Sequence, residues 1–394
     1  MSSVVEHAKP KTPLIYNPRF RGIAYQILLC VVVAALAWGA ISNAIENLER
    51  AKIASGFGFW DATAGFDISQ TLIPYSTVST YGRAFWVGLI NTLLIAGLGI
   101  VMATVLGFVV GIARLSSNWL VARFAGIYVE GIRNLPLLLQ LLFWYNAVLN
   151  ALPAMSQSLH IPGGGLLNNR GLFLPQPVFR PGFDAVLVAL AIGIIAAIAY
   201  RIFAKRRQLR TGILSPVGRV ALGFVIGLPL VVFLVAGMPV DFIYPEPGRF
   251  NIRGGMEVLP EFMALLFGLV LYTAAFIAEV VRAGIQAGAR GQAEAAYSLG
   301  LRPGPTLRLV VIPQAMRVII PPLTSQYLNL TKNSTLAVAV GYPDLVQIFA
   351  GTVLNQTGQA VEVIAVTMAV YLTISLVTSA LMNWYNRSVA LVER

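Results

Sequence analysis

The sequence predicts an all-α integral membrane protein of about eight transmembrane helices, on three observations. Hydrophobic residues make up 57% of the 394-residue chain and charged residues 11%, against about 25% charged in a soluble domain. Mean hydropathy is +0.75. Apolar runs long enough to cross roughly 30 Å of hydrocarbon recur along the whole length. A soluble domain of this size could not cover so much apolar surface.

The elements follow in order. The run 23–45 is a first span. It is longer than the roughly 7–15-residue apolar core of a signal peptide and reads as an uncleaved anchor, although small residues near Ala40 and Ala44 keep cleavage open. Further spans are expected at 85–113, 126–150, 184–203, 219–240, 261–285, 318–352 and 360–384. The run 318–352 is too long for one span and too polar at its centre, so it is expected to be broken. Irregular backbone at that depth is allowed only where it is buried in protein or lines a cavity.

Lys and Arg set the orientation. With a cytoplasmic N-terminus, the cytoplasmic side holds Lys9, Lys11, Arg19, Arg21, Arg114, Arg123, the KRRQLR stretch with Arg201 and Arg219, Arg282, Arg290, Arg302, Arg308, Arg317, Arg387 and Arg394. The outer side holds only Arg50, Lys52, Arg83, Arg170, Arg180, Arg249 and Arg253. Both termini are therefore expected in the cytoplasm. In such a chain the net charge of +12 reflects basic cytoplasmic loops. It does not point to nucleic acid, because no charge-plus-aromatic binding module is visible.

The outer loops are read as irregular. GFGFWDATAGF, within 46–84, fits coil or short helices at the membrane interface, with a docking surface for an external partner as the alternative. The proline- and glycine-rich stretch from Pro153 to Pro181 reads as irregular outer structure. Cys30 is the only cysteine and has no internal partner. His7 and His160 have no Cys, Asp or Glu at ligand spacing, so no metal site is expected. No short-period repeat occurs.

One cytoplasmic segment interrupts the apolar pattern: GQAEAAYSLGLRPGPTLRLVVIPQA, Gly291 to Ala315. Gln292–Leu299 predicts a short helix, with Ala295, Ala296 and Leu299 on one face. Gly300 suits a C-cap or bend. Pro303-Gly304-Pro305 breaks the chain, Thr306–Ile312 restarts a helix, and Pro313 ends or kinks it. The residues alone allow an ordinary amphipathic surface helix or a docking element.

The spacing of Glu294-Ala295-Ala296, Gly300, Val310 and Ile312-Pro313 closely resembles the EAA loop of permease subunits of bacterial ABC importers. By that resemblance the loop, 286–317, is a coupling helix that enters a cleft on an ATP-binding subunit. YVEGIRNLPLLLQLLFWY, Tyr128 to Tyr145, is similar to the R-x-x-P-L-L-x-Q helix of polar amino acid permeases through Arg133, Pro136, Leu137, Leu138 and Gln140. LTKNSTL, Leu330 to Leu336, is similar to their L-x-K-[DN]-[ST]-S-L, with Ser334-Thr335 as a departure. The whole pattern resembles the permeases of general L-amino acid ABC transporters.

The resemblance implies a five-helix type I ABC importer permease core within 85–385, interrupted by an inserted helix pair at about 184–240. An extra helix at 23–45 and tails at 1–22 and 386–394 complete the chain. It also implies the partners: an ATP-binding subunit dimer, a second permease subunit (a homologous chain or another copy of this one), a periplasmic amino acid-binding protein and the bilayer of the bacterial inner membrane. No G-x-x-x-x-G-K-[ST] loop occurs, so ATP would be hydrolysed by another chain. This chain is expected to bind no cofactor and to have no catalytic residue.

Polar residues inside spans are costly and mark paths or staples. Glu130, Arg133 and Asn134 fall on one helical face. Arg133 can hold a substrate carboxylate, or pair with Glu130 and serve packing. Gln140, in the same expected span, joins Arg133 and Asn134 among the candidate path residues. Gln326, Asn329, Lys332 and Asn333 form a second polar face, with Lys332 roughly 15 Å along a helix from Pro322. They read either as a substrate path beside a broken helix or as a staple between permease subunits. Glu279 and Arg282 read as a structural pair. The competing function classes are a self-contained secondary transporter or channel and, behind it, a membrane enzyme, for which no nucleophile–base or metal constellation is present.

Overall fold

The computed structural model describes residues 18–50, 55–248, 251–288 and 290–389. Lys9, Lys11, His7, Lys52, Arg249, Arg394, most of the predicted N-terminal tail and residues 390–394 of the C-terminal tail lie outside them. In chain order the elements are α1 (Pro18–Arg50), α2 (Tyr81–Ala113), α3 (Trp119–Arg133), α4 (Leu137–Ala151), strands β1 (Leu159–Ile161), β2 (Gly165–Asn168), β3 (Gly171–Leu174) and β4 (Gln176–Phe179), α5 (Phe183–Thr211), α6 (Val217–Leu222) and α7 (Leu228–Val235). There follow β5 (Val240–Ile243), β6 (Glu246–Pro247), β7 (Ile252–Arg253), β8 (Met256–Val258), α8 (Pro260–Ala287), α9 (Arg290–Ser298), α10 (Pro303–Thr306), α11 (Ile312–Asn333), α12 (Leu354–Thr357) and α13 (Ala360–Val389).

Seven helices among the described residues are long and apolar enough to span: Phe20–Ala40, Tyr81–Ala113, Phe183–Thr211, Val217–Val235, Pro260–Ala287, Pro303–Ala339 and Ala360–Arg387. The expected span at 126–150 is not one helix. It is α3 and α4, parted at Asn134-Leu135-Pro136 because Pro136 lacks the N–H that a continuous helix needs and disfavours helical backbone in Leu135. The run 318–352 is broken as expected. α11 ends at Asn333, a 3-10 stretch covers Ser334–Ala339, and Gly341 turns the chain at φ +77°.

The chain forms two compact units, 1–91 with 343–374 and 92–342 with 375–394. In the first, the outer loop is organised by its aromatic rings. Phe59 is buried with Tyr81, Phe85, Ile348 and Phe349, and the Trp60 ring lies 5.1 Å from that of Phe85 and 5.9 Å from that of Phe349. The rings thus pack against one another and against α2. The Tyr75 hydroxyl donates to the Phe66 carbonyl at 3.1 Å, and burial, with Asp67 nearby, pushes its pKa up to about 12. Asn91 donates to the carbonyls of Gln70 (2.9 Å) and Pro343 (2.8 Å), tying the loop to the chain beyond α11. From Phe20 to Ala40 every residue of α1 is exposed.

In the second unit α8 is the centre, with α3, α4 and α11 packed against it. Its buried face includes Leu265, Leu269, Ile277 and Val281. Small residues let helices approach closely, as in membrane bundles generally. A Cβ at Gly111 of α2 would stand 2.8 Å from the Ala278 carbonyl oxygen, and one at Gly107 would meet the Ile277 side chain. The stretch 153–181, expected to be irregular, is built into strands. β1-β2-β3-β8 form an antiparallel four-stranded sheet, and β4–β5 and β6–β7 form two-stranded ones. These strands have two to four residues, too short for an alternation signal to stand out among the prolines and glycines.

Candidate functional site

The exposed loop between α8 and α11 comes first. α9 ends in a Schellman motif: the Leu301 N–H donates to the Ala296 carbonyl and the Gly300 N–H to that of Tyr297. Gly300 has φ +79°, a conformation glycine adopts without a Cβ penalty. Ala296 is buried, whereas Glu294, Ala295, Tyr297 and Leu299 are exposed, Leu299 to 83%. Of the three residues expected on one face, Ala296 therefore turns inward while Ala295 and Leu299 face out.

Pro303-Gly304-Pro305 does not break the chain between two short helices. Pro303 opens α10, which runs through a π-helical turn at Leu307–Val311 into α11. Pro313 neither ends nor interrupts this path. A proline removes one backbone bond and crowds the preceding turn, and the wider π turn immediately before it accommodates both effects. The same device recurs where the π turn Gly223–Gly227 precedes Pro229 in α7.

The second cluster surrounds Glu279, near the end of α8. Its carboxylate pairs with Arg114, accepts from Arg282, and has Arg133 Nη1 at 3.9 Å. Glu130 pairs with Arg114 at 3.5 Å. The expected Arg133–Glu130 pair is replaced by this arrangement, and the Arg133 guanidinium also lies 5.1 Å from the centre of the Phe276 ring. Asn134 does not share a helical face with Glu130 and Arg133; it is the C-cap of α3.

Gln140 spans the α3–α4 break. Its Nε2 donates to the carbonyls of Ile132 (2.9 Å) and Leu135 (3.0 Å) at the break, and the Ile132 carbonyl also accepts from the Asn134 N–H. Its Oε1 is buried and has no partner among the described residues. A cavity of about 320 Å³ lies beside it, walled by Ile132, Leu135, Leu139, Phe143 and Trp144. On α11, Asn329 and Lys332 are exposed and Gln326 and Asn333 half-buried. α3 and α11 both pack on α8, so the two polar groups stand on different neighbours of one central helix.

Two residues of this architecture were not singled out in the sequence. Asp344 is buried, accepts from the Gln347 N–H at 2.8 Å and from the Tyr371 hydroxyl at 3.1 Å. The signal was an acid just after Gly-Tyr-Pro, three residues before the N–H it caps. Arg114 counted only as a cytoplasmic charge; its place in the last turn before a loop was the available clue.

The family described as "Binding-protein-dependent transport system inner membrane component" matches residues 189–391. The general L-amino acid transport system permease protein AapQ of Rhizobium johnstonii is 51% identical over 380 residues, covering 96% of this chain and 95% of its own length. The putative amino-acid ABC transporter permease protein YhdX of Escherichia coli is 52% identical over 378 residues, 96% of each chain. The glutamate/glutamine/aspartate/asparagine transport system permease protein BztB of Rhodobacter capsulatus is 44% identical over 413 residues, 97% of this chain and 96% of its own. A solved structure described as the crystal structure of an amino acid ABC transporter with histidines covers 78% of this chain and 95% of its own, at 22% identity and a TM-score of 0.46.

Proposed function

The chain belongs to the family of binding-protein-dependent transport system inner membrane components, and from that membership we propose how it works as the permease subunit of an ATP-driven amino acid importer. Its spans form the translocation path. A separate ATP-binding subunit dimer hydrolyses ATP, a second permease chain completes the path, and a periplasmic binding protein delivers the amino acid. This chain itself binds no cofactor. Both termini, the KRRQLR segment and the α9 loop face the cytoplasm.

The single observation that carries the coupling reading is the α9 loop. Between two membrane-length helices, the short α9 ends in a Schellman turn that presents Tyr297 and Leu299 outward. Exposed apolar side chains on a fixed turn suit insertion into a cleft, and Glu294, Ala295, Ala296, Gly300 and Pro313 are assigned to this coupling. ATP-driven closure of the partner dimer would then move α8 and α11, a hinge-like transfer. The test is reconstitution with and without the ATP-binding subunits. ATP-dependent amino acid uptake only in the full complex is expected. Uptake by this chain alone on an ion gradient would instead establish a secondary transporter.

Within the path, the exposed polar residues Arg133, Asn134, Asn329 and Lys332, with Gln326, Asn333 and Gln140, are assigned to the substrate. A cationic side chain serves the carboxylate that all α-amino acids share, while the unpartnered Oε1 of Gln140 suits their ammonium group. Uptake of acidic, neutral and basic amino acids should fall together in Lys332→Gln and Arg133→Gln, by roughly ten- to hundredfold for a lost charged hydrogen bond of about 1.5–3 kcal/mol. Unchanged uptake would remove the residue from the path, and loss of assembly would make it a staple.

A further inference from the structure

At the membrane end where α2 and α8 terminate and α3 begins, two cavities take neighbouring residues of these three segments, and the second is closed by Leu307, Val311, Ile312 and Ala315 at the start of the α11 path. One, of about 270 Å³, is lined by Arg114, Arg123, Gly126, Glu130, Arg282 and Gln286. The other, of about 540 Å³, is walled by Ile112, Leu115, Val121, Ile285 and other apolar side chains, with Ser116 its one hydroxyl. Arg114 and Arg282 are already committed to Glu279. Arg123 has no ion pair among the described residues, and Arg133 adds its charge to the same carboxylate. Three guanidinium groups line the open pocket, and with Arg133 beside Glu279 they outnumber the carboxylates of Glu130 and Glu279, a surplus of positive charge.

We propose that this end of the bundle binds one anionic phospholipid, its phosphate between Arg123 and the Arg114–Arg282 pair and an acyl chain in the adjoining apolar groove. The charge surplus calls for an anion, and arginine holds phosphate oxygens through paired N–H donors. The groove calls for a hydrocarbon chain attached to it. Trp119 and Phe124, 74% and 65% exposed on the first turns of α3, stand where interfacial rings sit beside headgroups. Basic pockets between helices at a membrane surface take up such headgroups. Leu307 and Val311 of the turn that packs against α9 wall the groove, so a bound lipid would hold α2, α3 and α8 together with the segment that follows the loop read as the coupling element.

Gly126 offers a test that leaves the ion pairs intact, since a Cβ there would meet nothing within 4 Å. The complete transporter, purified and delipidated, is titrated with phosphatidylglycerol or phosphatidylcholine and examined by native mass spectrometry. One phosphatidylglycerol per copy of this chain is expected, preferred over phosphatidylcholine about tenfold or more. Gly126→Leu and Arg123→Gln should each weaken that binding about tenfold, with the complex still assembled. Equal retention of the two lipids, or wild-type retention in both variants, would overturn the proposal. So would displacement of the lipid by equimolar inorganic phosphate or by a free amino acid, which would mark a site for soluble anions or for the transported substrate. Transport activity is not the readout, so the permease assignment and the lipid site fail separately.

Discussion

Gly300 and Gln140 show how single side chains hold the parts of this permease that are not regular helix. At Gly300 nothing stands within 4 Å of where a Cβ would point, so the chain itself has room for a side chain. The cost is conformational: φ +79° is strained by about 1–2 kcal/mol in an L-residue, less in asparagine. Gly300→Asn should therefore couple ATP hydrolysis to uptake better than Gly300→Ala. Gly300→Trp should be much worse than either if a partner's cleft receives the turn; equal coupling in the alanine and tryptophan variants would deny the cleft. Gln140 donates to the Leu135 carbonyl and adds a side-chain donor to that of Ile132, which also accepts from the Asn134 N–H. Gln140→Leu would strand the Leu135 carbonyl, at about 1–3 kcal/mol, and a lowered Tm in the purified complex is expected. The sequence marked Gln140 through its motif, but its bracing of Ile132 and Leu135 was not legible. That role depends on a break whose two sides are brought together only in three dimensions.

Helix placement was largely readable, because hydrocarbon thickness imposes run lengths that any window detects. What failed at this scale was the meaning of proline. Pro136 stands inside the expected span 126–150 and parts two helices, whereas Pro303 and Pro305, expected to break the chain, lie in the opening turn of a long helical path. The difference is position: a proline in a first turn loses no bond it could have made, and only the surrounding fold says where a turn is first. Packing between helices was also hidden, although GFVVG, Gly107 to Gly111, spaces its glycines one turn apart. Because the Ala278 carbonyl would lie 2.8 Å from a Cβ at Gly111, Gly111→Leu must push α2 off α8. Overpacking of this kind costs about 1–3 kcal/mol or more, and a lower yield of assembled complex on size exclusion is expected, with Gly97→Leu, which faces open space, as the unaffected control.

Over the whole molecule, the Lys and Arg bias gives an orientation that reporter fusions can check. A fusion after Arg207 should report cytoplasm and one after Gly164 the opposite side; matching signals would overturn the topology. The small outer sheets escaped prediction for a related reason of scale, since their strands pair across long stretches of chain: β3 with β8, and β4 with β5.

The β4–β5 ribbon fixes more than local shape. Phe179 pairs with Val240, and the Arg180 N–H donates to the Pro239 carbonyl at 3.0 Å. Everything from Pro181 to Met238, including α5, α6 and α7, thus hangs beyond two backbone positions already in hydrogen-bond contact. Joining Arg180 to Pro239 through Asn-Gly, the two-residue turn that suits such a ribbon, should yield a shorter chain that still inserts and assembles. The helix pair is a pendant, entered and left through one doorway, and it can be exchanged or removed without rethreading the rest.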